Sequence, residues 1–186
     1  MNVGFALCGS FCTFEKAFAA MAEVAGMHRV VPIFSQAAFS TDTRFGTAQE
    51  NILRATEICG REPLHTVAQV EPIGPKKLLD ALVIVPCTGN TLAKLAHSIA
   101  DGPVTMAAKS HLRNGRPILL AVSTNDALAG AAENIGKLLG RKHYYFVPFG
   151  QDDPQKKPTS IVADFAKVLP ALEAALEGYQ LQPMLC

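Results

Sequence analysis

The sequence predicts an α/β domain, a three-layer Rossmann-like sandwich whose mostly parallel sheet is covered by helices on both faces. Three observations carry that expectation. Short apolar runs without clean alternation recur along the chain, as strands buried on both faces require. Segments with helical spacing separate these runs, which implies right-handed crossovers between parallel strands. Several of the runs end in loops rich in Gly, Ser, Thr or Asn, and in such folds ligands sit beyond the carboxyl ends of the strands. The 186 residues, 49% of them hydrophobic, suit one sizeable core. We expect a single domain over residues 1–178 and a loose tail over 179–186.

Asn2–Leu7 reads as the first strand, broken by Cys8-Gly9-Ser10-Phe11-Cys12. Phe14, Ala17, Phe18, Met21 and Ala25 then recur at helical spacing, with Thr13 as a cap and Gly26 as a stop. Arg29–Phe34 reads as a second strand, and its internal Pro32 points to a sheet edge. A polar loop from Ser35 to Gly46 leads into a helix over Thr47–Cys59 that stops at Gly60. Leu64–Val70 reads as a weaker strand, followed by a turn at Pro72-Ile73-Gly74-Pro75 and one helical turn near Lys76–Leu79. Ala81–Val85 is the strongest central-strand signal, followed by a helix from Thr91 to about Ala100 and another over Val104–Leu112. Pro117–Val122 reads as a strand, Ala127–Leu139 as a helix and Tyr144–Pro148 as a last strand. Phe149–Thr159 reads as a flexible, Pro-rich flap and Ile161–Leu176 as the closing helix.

Seventeen basic residues against sixteen acidic ones leave a net charge of +1, so nothing steers the chain toward nucleic acid or an anionic membrane. The five cysteines are scattered, with no Cys-x-x-Cys and no zinc-ligand spacing, which predicts no metal site and fits a reducing cytosol. The N-terminus lacks the basic start of a signal peptide, and no apolar stretch approaches the roughly 18 residues of a membrane span. The five histidines are dispersed, and Gly-x-Ser-x-Gly is absent. Cys87 at a strand end reads better as a small buried thiol than as a nucleophile.

Four loops can carry chemistry. Gly9-Ser10-Phe11-Cys12-Thr13 joins the first strand to the first helix, where unpaired backbone N–H groups, a close-approach glycine and hydroxyls can bind phosphate. Ser35 places a hydroxyl at the next strand end, and Arg44 in the same loop offers a planar fork for a carboxylate or phosphate. The most specific is Pro86-Cys87-Thr88-Gly89-Asn90-Thr91, followed by Lys94 one turn into the helix. Asn90 both donates and accepts, as the edge of a flat heterocycle demands. The fourth is Ser123-Thr124-Asn125-Asp126. Each also has a plain structural reading: a tight turn, a solvated loop, a capped helix and an Asx turn.

The run Val83-Ile84-Val85-Pro86-Cys87-Thr88-Gly89-Asn90-Thr91-Leu92-Ala93-Lys94-Leu95-Ala96, ending in Ile99-Ala100-Asp101, resembles the signature of the homo-oligomeric flavin-containing Cys decarboxylases, the flavoprotein family. Gly9-Ser10 and the small-residue loop after Pro117–Val122 extend the resemblance over most of the chain. Within the family, Asn2–Glu15, Val31–Ser35, Thr41–Gly46, Val122–Leu128 and Tyr144–Pro158 resemble the flavoprotein-like chain of a two-subunit oxidoreductase of spore-forming bacteria. The resemblance implies flavin mononucleotide (FMN) as cofactor, its phosphate surrounded by Gly9, Ser10, Phe11 and Ser35. Pro86, Thr88, Gly89, Asn90 and Thr91 would meet the ribityl and ring portions, with Ser123 and Thr124 on the opposite wall. It further implies a larger partner subunit similar to a nicotinamide-nucleotide dehydrogenase with NADP as acceptor, a small dicarboxylate substrate paired by Arg44 or Lys94, and homo-oligomers in trimers or their multiples.

The family's decarboxylases carry a His after the third strand and a Pro-x-Met-Asn loop after the fifth. Here those places read Pro72-Ile73-Gly74-Pro75 and Ser123-Thr124-Asn125-Asp126, which argues against decarboxylation of a cysteinyl substrate. Three functions remain: an oxidoreductase subunit, a flavin-dependent decarboxylase, and a non-catalytic partner that stabilises a larger subunit.

Overall fold

In the computed structural model, which describes residues 1–186, strand β1 (Asn2–Leu7) lies inside a parallel arrangement, one strand from its edge. It pairs with β2 (Arg29–Phe34) on one side and β3 (Ala81–Cys87) on the other, so that Gly4 stands opposite both Val31 and Leu82. Beyond β3 comes β4 (Ile118–Thr124), and beyond its first half comes β5 (Tyr144–Phe146). The parallel order is therefore β2-β1-β3-β4-β5, which reverses between β1 and β3 and opens a crevice at their carboxyl ends.

The residues explain the arrangement. All seven positions of β3 are buried, as are β1 after Asn2 and β4 before Thr124, because helices cover both faces. On one face, α1 (Phe14–Met27) packs against α3 (Ala48–Cys59) and α8 (Val168–Leu176). On the other, α5 (Gly89–Ala96) packs against α6 (Pro103–Leu112) and α7 (Ala132–Leu139), with the short α4 (Val67–Val70) against α6. One cluster of 49 buried residues joins these layers, from Val3 to Leu172. Pro32 sits in the edge strand as expected. Its carbonyl accepts from Leu64 N–H on the outer side, so its missing N–H costs the β1 ladder nothing.

Five local expectations need correction. Leu64–Val70 is not a strand: Leu64 makes one bridge to Ile33, then Thr66 and Gln69 form a capping box that starts α4. Helix α1 runs through Gly26 to Met27, and Thr13 does not cap it, since its hydroxyl donates to Ser10 O. The helix expected from Ala127 begins only at Ala132, after turns. Ile161–Ala163 is a strand, β7, rather than the first turn of the closing helix, because a β-branched pair there completes a small antiparallel unit. In it, β7 pairs with β6 (Phe149–Gly150) and with the last residues of β4, Ser123 opposite Val162. Nor is the end of the chain loose. Phe149 N–H donates to Met184 O, Cys186 N–H donates to Phe149 O, and the Gln180 amide both donates to and accepts from the Phe146 backbone.

Candidate functional site

Three strands deliver the site to one rim. After Leu7 the backbone turns at once, Ser10 N–H donating to Cys8 O at 2.8 Å, and a 3-10 turn over Phe11–Thr13 leads into α1. After β3, Thr88 caps α5: its hydroxyl oxygen accepts from Thr91 N–H at 3.3 Å and lies 3.1 Å from the Thr91 hydroxyl. Thr88 is thus the cap, and the helix starts before Thr91, at Gly89. Ser123 and Thr124 are the last residues of β4 rather than a loop, held there by β7. These three segments meet. Ser10 and Ser123, separated by 113 positions in the sequence, share a hydroxyl–hydroxyl hydrogen bond of 3.0 Å. The Thr91 hydroxyl donates to the Cys8 sulfur at 3.3 Å.

The rim holds two adjoining cavities that share Gly9 and Thr88. The larger, about 650 Å³, lies between Gly9, Ser35, Thr88, Asn90 and the segment Asp101–Thr105. Its volume is in the range of about 300–1,000 Å³ common to small-molecule sites. Ser35 caps a short helix, α2 (Gln36–Ser40), by accepting from Ala38 N–H, which leaves its hydroxyl hydrogen free to donate. The smaller, about 440 Å³, lies between Ser10, Ser123, Thr124 and the β6–β7 connection, from which Asp152, Lys157 and Ser160 reach it.

Glycine fits tightly at one point on this rim. A Cβ on Gly89 would stand 2.8 Å from Thr124 Oγ1 and 2.9 Å from Asp126 Oδ1. Those two groups are themselves bonded, Thr124 Oγ1 donating to Asp126 Oδ1 at 2.5 Å.

The electrostatics of the rim come mostly from neutral donors. Lys94 lines the larger cavity, but its ammonium donates to both carboxylate oxygens of Asp101 at 2.9 Å. Lys157 is likewise paired, with Asp152. Lys16 is the only cation lining either cavity that makes no ion pair. Burial pushes the Cys8 thiol up to about 11, against the pull of the Thr91 hydroxyl, and raises the Cys87 thiol well above its ordinary value. Both are inert thiols here, which leaves no nucleophile at the end of β3.

Of the residues singled out from sequence, Gly9, Ser10, Ser35, Thr88, Asn90, Thr91, Ser123, Thr124 and Lys94 line the cavities. Gly89 stands against Thr124 and Asp126 without lining either cavity, and three more sit elsewhere. Phe11 packs on Phe14 at 5.2 Å between ring centroids, Pro86 is buried within β3, and the Arg44 guanidinium lies 4.8 Å over the Phe45 ring. Sequence reasoning missed Lys16 and the contribution of Asp152, Lys157 and Ser160. The polar, Pro-rich segment after β5 was the available signal for the last three. No group of three or more His, Cys, Asp or Glu side chains comes together, and no helix is long and apolar enough to cross a membrane.

Residues 2–149 match the family model described as Flavoprotein. The sequence is 44% identical over 185 residues to the B subunit of dipicolinate synthase from Bacillus subtilis strain 168, covering 99% of this chain and 92% of that one. The crystal structure of the B subunit of dipicolinate synthase from Bacillus halodurans superposes with a TM-score of 0.91 at 42% identity, covering 100% of this chain and 95% of that one. The FMN-dependent cysteine decarboxylase SpaF shares the fold at a TM-score of 0.69 and 22% identity, over 95% of each chain.

Proposed function

The chain belongs to the flavoprotein family, and from that premise we propose that it binds FMN and acts as the B subunit of a dipicolinate synthase. In this reading it works with an A subunit, which carries NADP, as part of an oxidoreductase that converts a dihydrodipicolinate to dipicolinate in the cytoplasm of a sporulating cell. It assembles as a homo-oligomer, a trimer or a multiple of one.

The observation that carries the proposal is the 3.0 Å contact between Ser10 and Ser123, which closes the β1 and β4 segments around the helix opened by Thr88. The residues present fit the cofactor. Gly9 N–H makes no hydrogen bond within the chain, and Gly9 lines both cavities, with Ser35 in the larger and Ser10 in the smaller, donors suited to a phosphate. The Asn90 side chain is exposed and makes no hydrogen bond within the chain, so its amide can address the edge of a flat ring. Gly89 keeps that wall flat by leaving Thr124 and Asp126 undisturbed.

Bound FMN would supply the electron transfer. The chain's own residues would bind and orient it, and the β6–β7 connection would shield it from water. A dicarboxylate would find Lys16 unpaired, whereas Lys94 would have to leave Asp101.

Decarboxylation has less support. Ile73 is buried and Gly74 N–H donates to Ser110 Oγ at 3.1 Å, so that turn is locked onto α6 and offers no general acid. The pairing of Lys94 with Asp101 favours, as a second reading, a partner that stabilises the A subunit without taking part in the chemistry.

Reconstitution with an A subunit separates these readings. Dipicolinate formation that depends on added FMN, together with an FMN-dependent rise in the melting temperature of this chain, is the expected result. A colourless chain whose melting temperature excess FMN does not move would overturn the cofactor assignment.

A further inference from the structure

Behind the rim, where α5 ends, lies a pocket of about 310 Å³ that the function above does not use. Its walls are apolar: Leu95, Ile99 and Leu112, with the ring of Tyr144. Three cations face it, Lys109 and Arg113 one turn apart at the end of α6 and Arg141 just before β5, and none of them is in an ion pair. No acidic residue lines it. Arg141 is already oriented, since its Nη1 donates to Leu95 O at 3.0 Å and its Nη2 to Ala96 O at 2.7 Å, the last carbonyls of α5.

Tyr144 supplies the second observation. Tyr144 as a residue is 8% exposed, and its hydroxyl, which makes no hydrogen bond within the chain, stays open to solvent and to a ligand. Burial raises the phenol to about 12, against the pull of Arg141, so it stays a donor across the physiological range. A free phenol donor beside three cations without an anion is an arrangement that a carboxylate satisfies. The apolar walls and a volume near the small end of ligand sites, about 300 Å³, limit that carboxylate to a ring-sized body.

We infer that the chain carries a second binding site, for a small carboxylate with a flat apolar body, between α5, α6 and the start of β5. The site is separate from the rim, although Thr105 lines both this pocket and the larger rim cavity. It stands independently of the flavin assignment.

Calorimetric titration of pyridine-2,6-dicarboxylate into the full chain tests it, with malonate as a probe of the same charge and no ring. The expected dissociation constant is below about 1 mM. It should be unmoved by saturating FMN and by Asn90→Ala. It should weaken about tenfold in the double variant Lys109→Gln/Arg113→Gln and at least about threefold in Tyr144→Phe. Malonate should bind about tenfold more weakly than the ring. Lys109 and Arg113 are exposed, so the double variant keeps its fold, which its circular dichroism melt verifies. Binding that is absent up to about 10 mM, that survives the double substitution, that FMN abolishes, or that malonate equals would overturn the inference.

Discussion

Helix α5 has two ends, and each is built to meet an anion by a different means. At its start Thr88, Gly89 and Asn90 face the rim, where the donors are amides and hydroxyls and the cations Lys94 and Lys157 are already paired. At its end the carbonyls of Ala96 and of Leu95, which also accepts from Ser98 N–H, have drawn in Arg141, and Lys109 and Arg113 gather beside it with no acid to neutralise them. The helix dipole explains the sorting: its start already presents N–H groups and partial positive charge, whereas its end must recruit cations. A phosphate pressed closely against backbone suits the first kind of site. A carboxylate met by long, mobile side chains suits the second.

Both sites rest on one helix, so loss of its core contacts should weaken them together. Leu92 is fully buried on α5, and Leu92→Ala should cost about 3 kcal/mol in a urea melt and weaken both sites at once. Acid should act on the fold beneath both ends. His111 on α6 donates from Nε2 to Pro117 O at 3.0 Å while its buried Nδ1 has no partner. Burial lowers its pKa from 6.5 to about 4. The unfolded chain therefore takes up a proton that the folded chain refuses. Stability should be full above pH 6.5 and fall by about 3 kcal/mol as the pH drops through that window to about 4. His111→Leu should flatten the slope in pH-dependent denaturation.

Smaller changes sharpen the contrast. Thr88→Ala removes the cap and should cost about 1 kcal/mol, with weaker FMN binding and unchanged carboxylate binding. Salt is the gentlest probe. Raising it from about 0.05 to about 0.5 M should weaken the cationic pocket severalfold in titrations and move FMN affinity less, because screening acts on the exposed charges. Severalfold loss at the rim alone would reverse the assignment of the two ends.

Much of the parallel sheet was legible because strands buried on both faces show as unbroken apolar runs, as in Ala81–Val85. The antiparallel appendage was not. Ile161-Val162-Ala163 continues into helical spacing, and only pairing with the end of β4 and with β6 makes it a strand. Thr66 and Gln69 did carry a legible signal, a capping box, that outweighs the apolar residues between them. At the rim, Gly9, Ser10, Thr88 and Asn90 could be read from strand-end loops, but Lys16 and Lys157 could not, since nothing local distinguishes a lining lysine from a solvated one.

The sequence by itself determined the layers, the strand-end loops and the chemistry each loop offers, because periodicity, caps and turn residues act over a few positions. Tertiary structure alone decided which loops meet, which cations are paired and which are left free. Ser10 reaches Ser123 across 113 positions, and Arg141 reaches Leu95 across 46, through a strand order that no local pattern encodes. Closing such contacts depends on packing the whole core, and that is a property of the assembled sheet rather than of any segment within it.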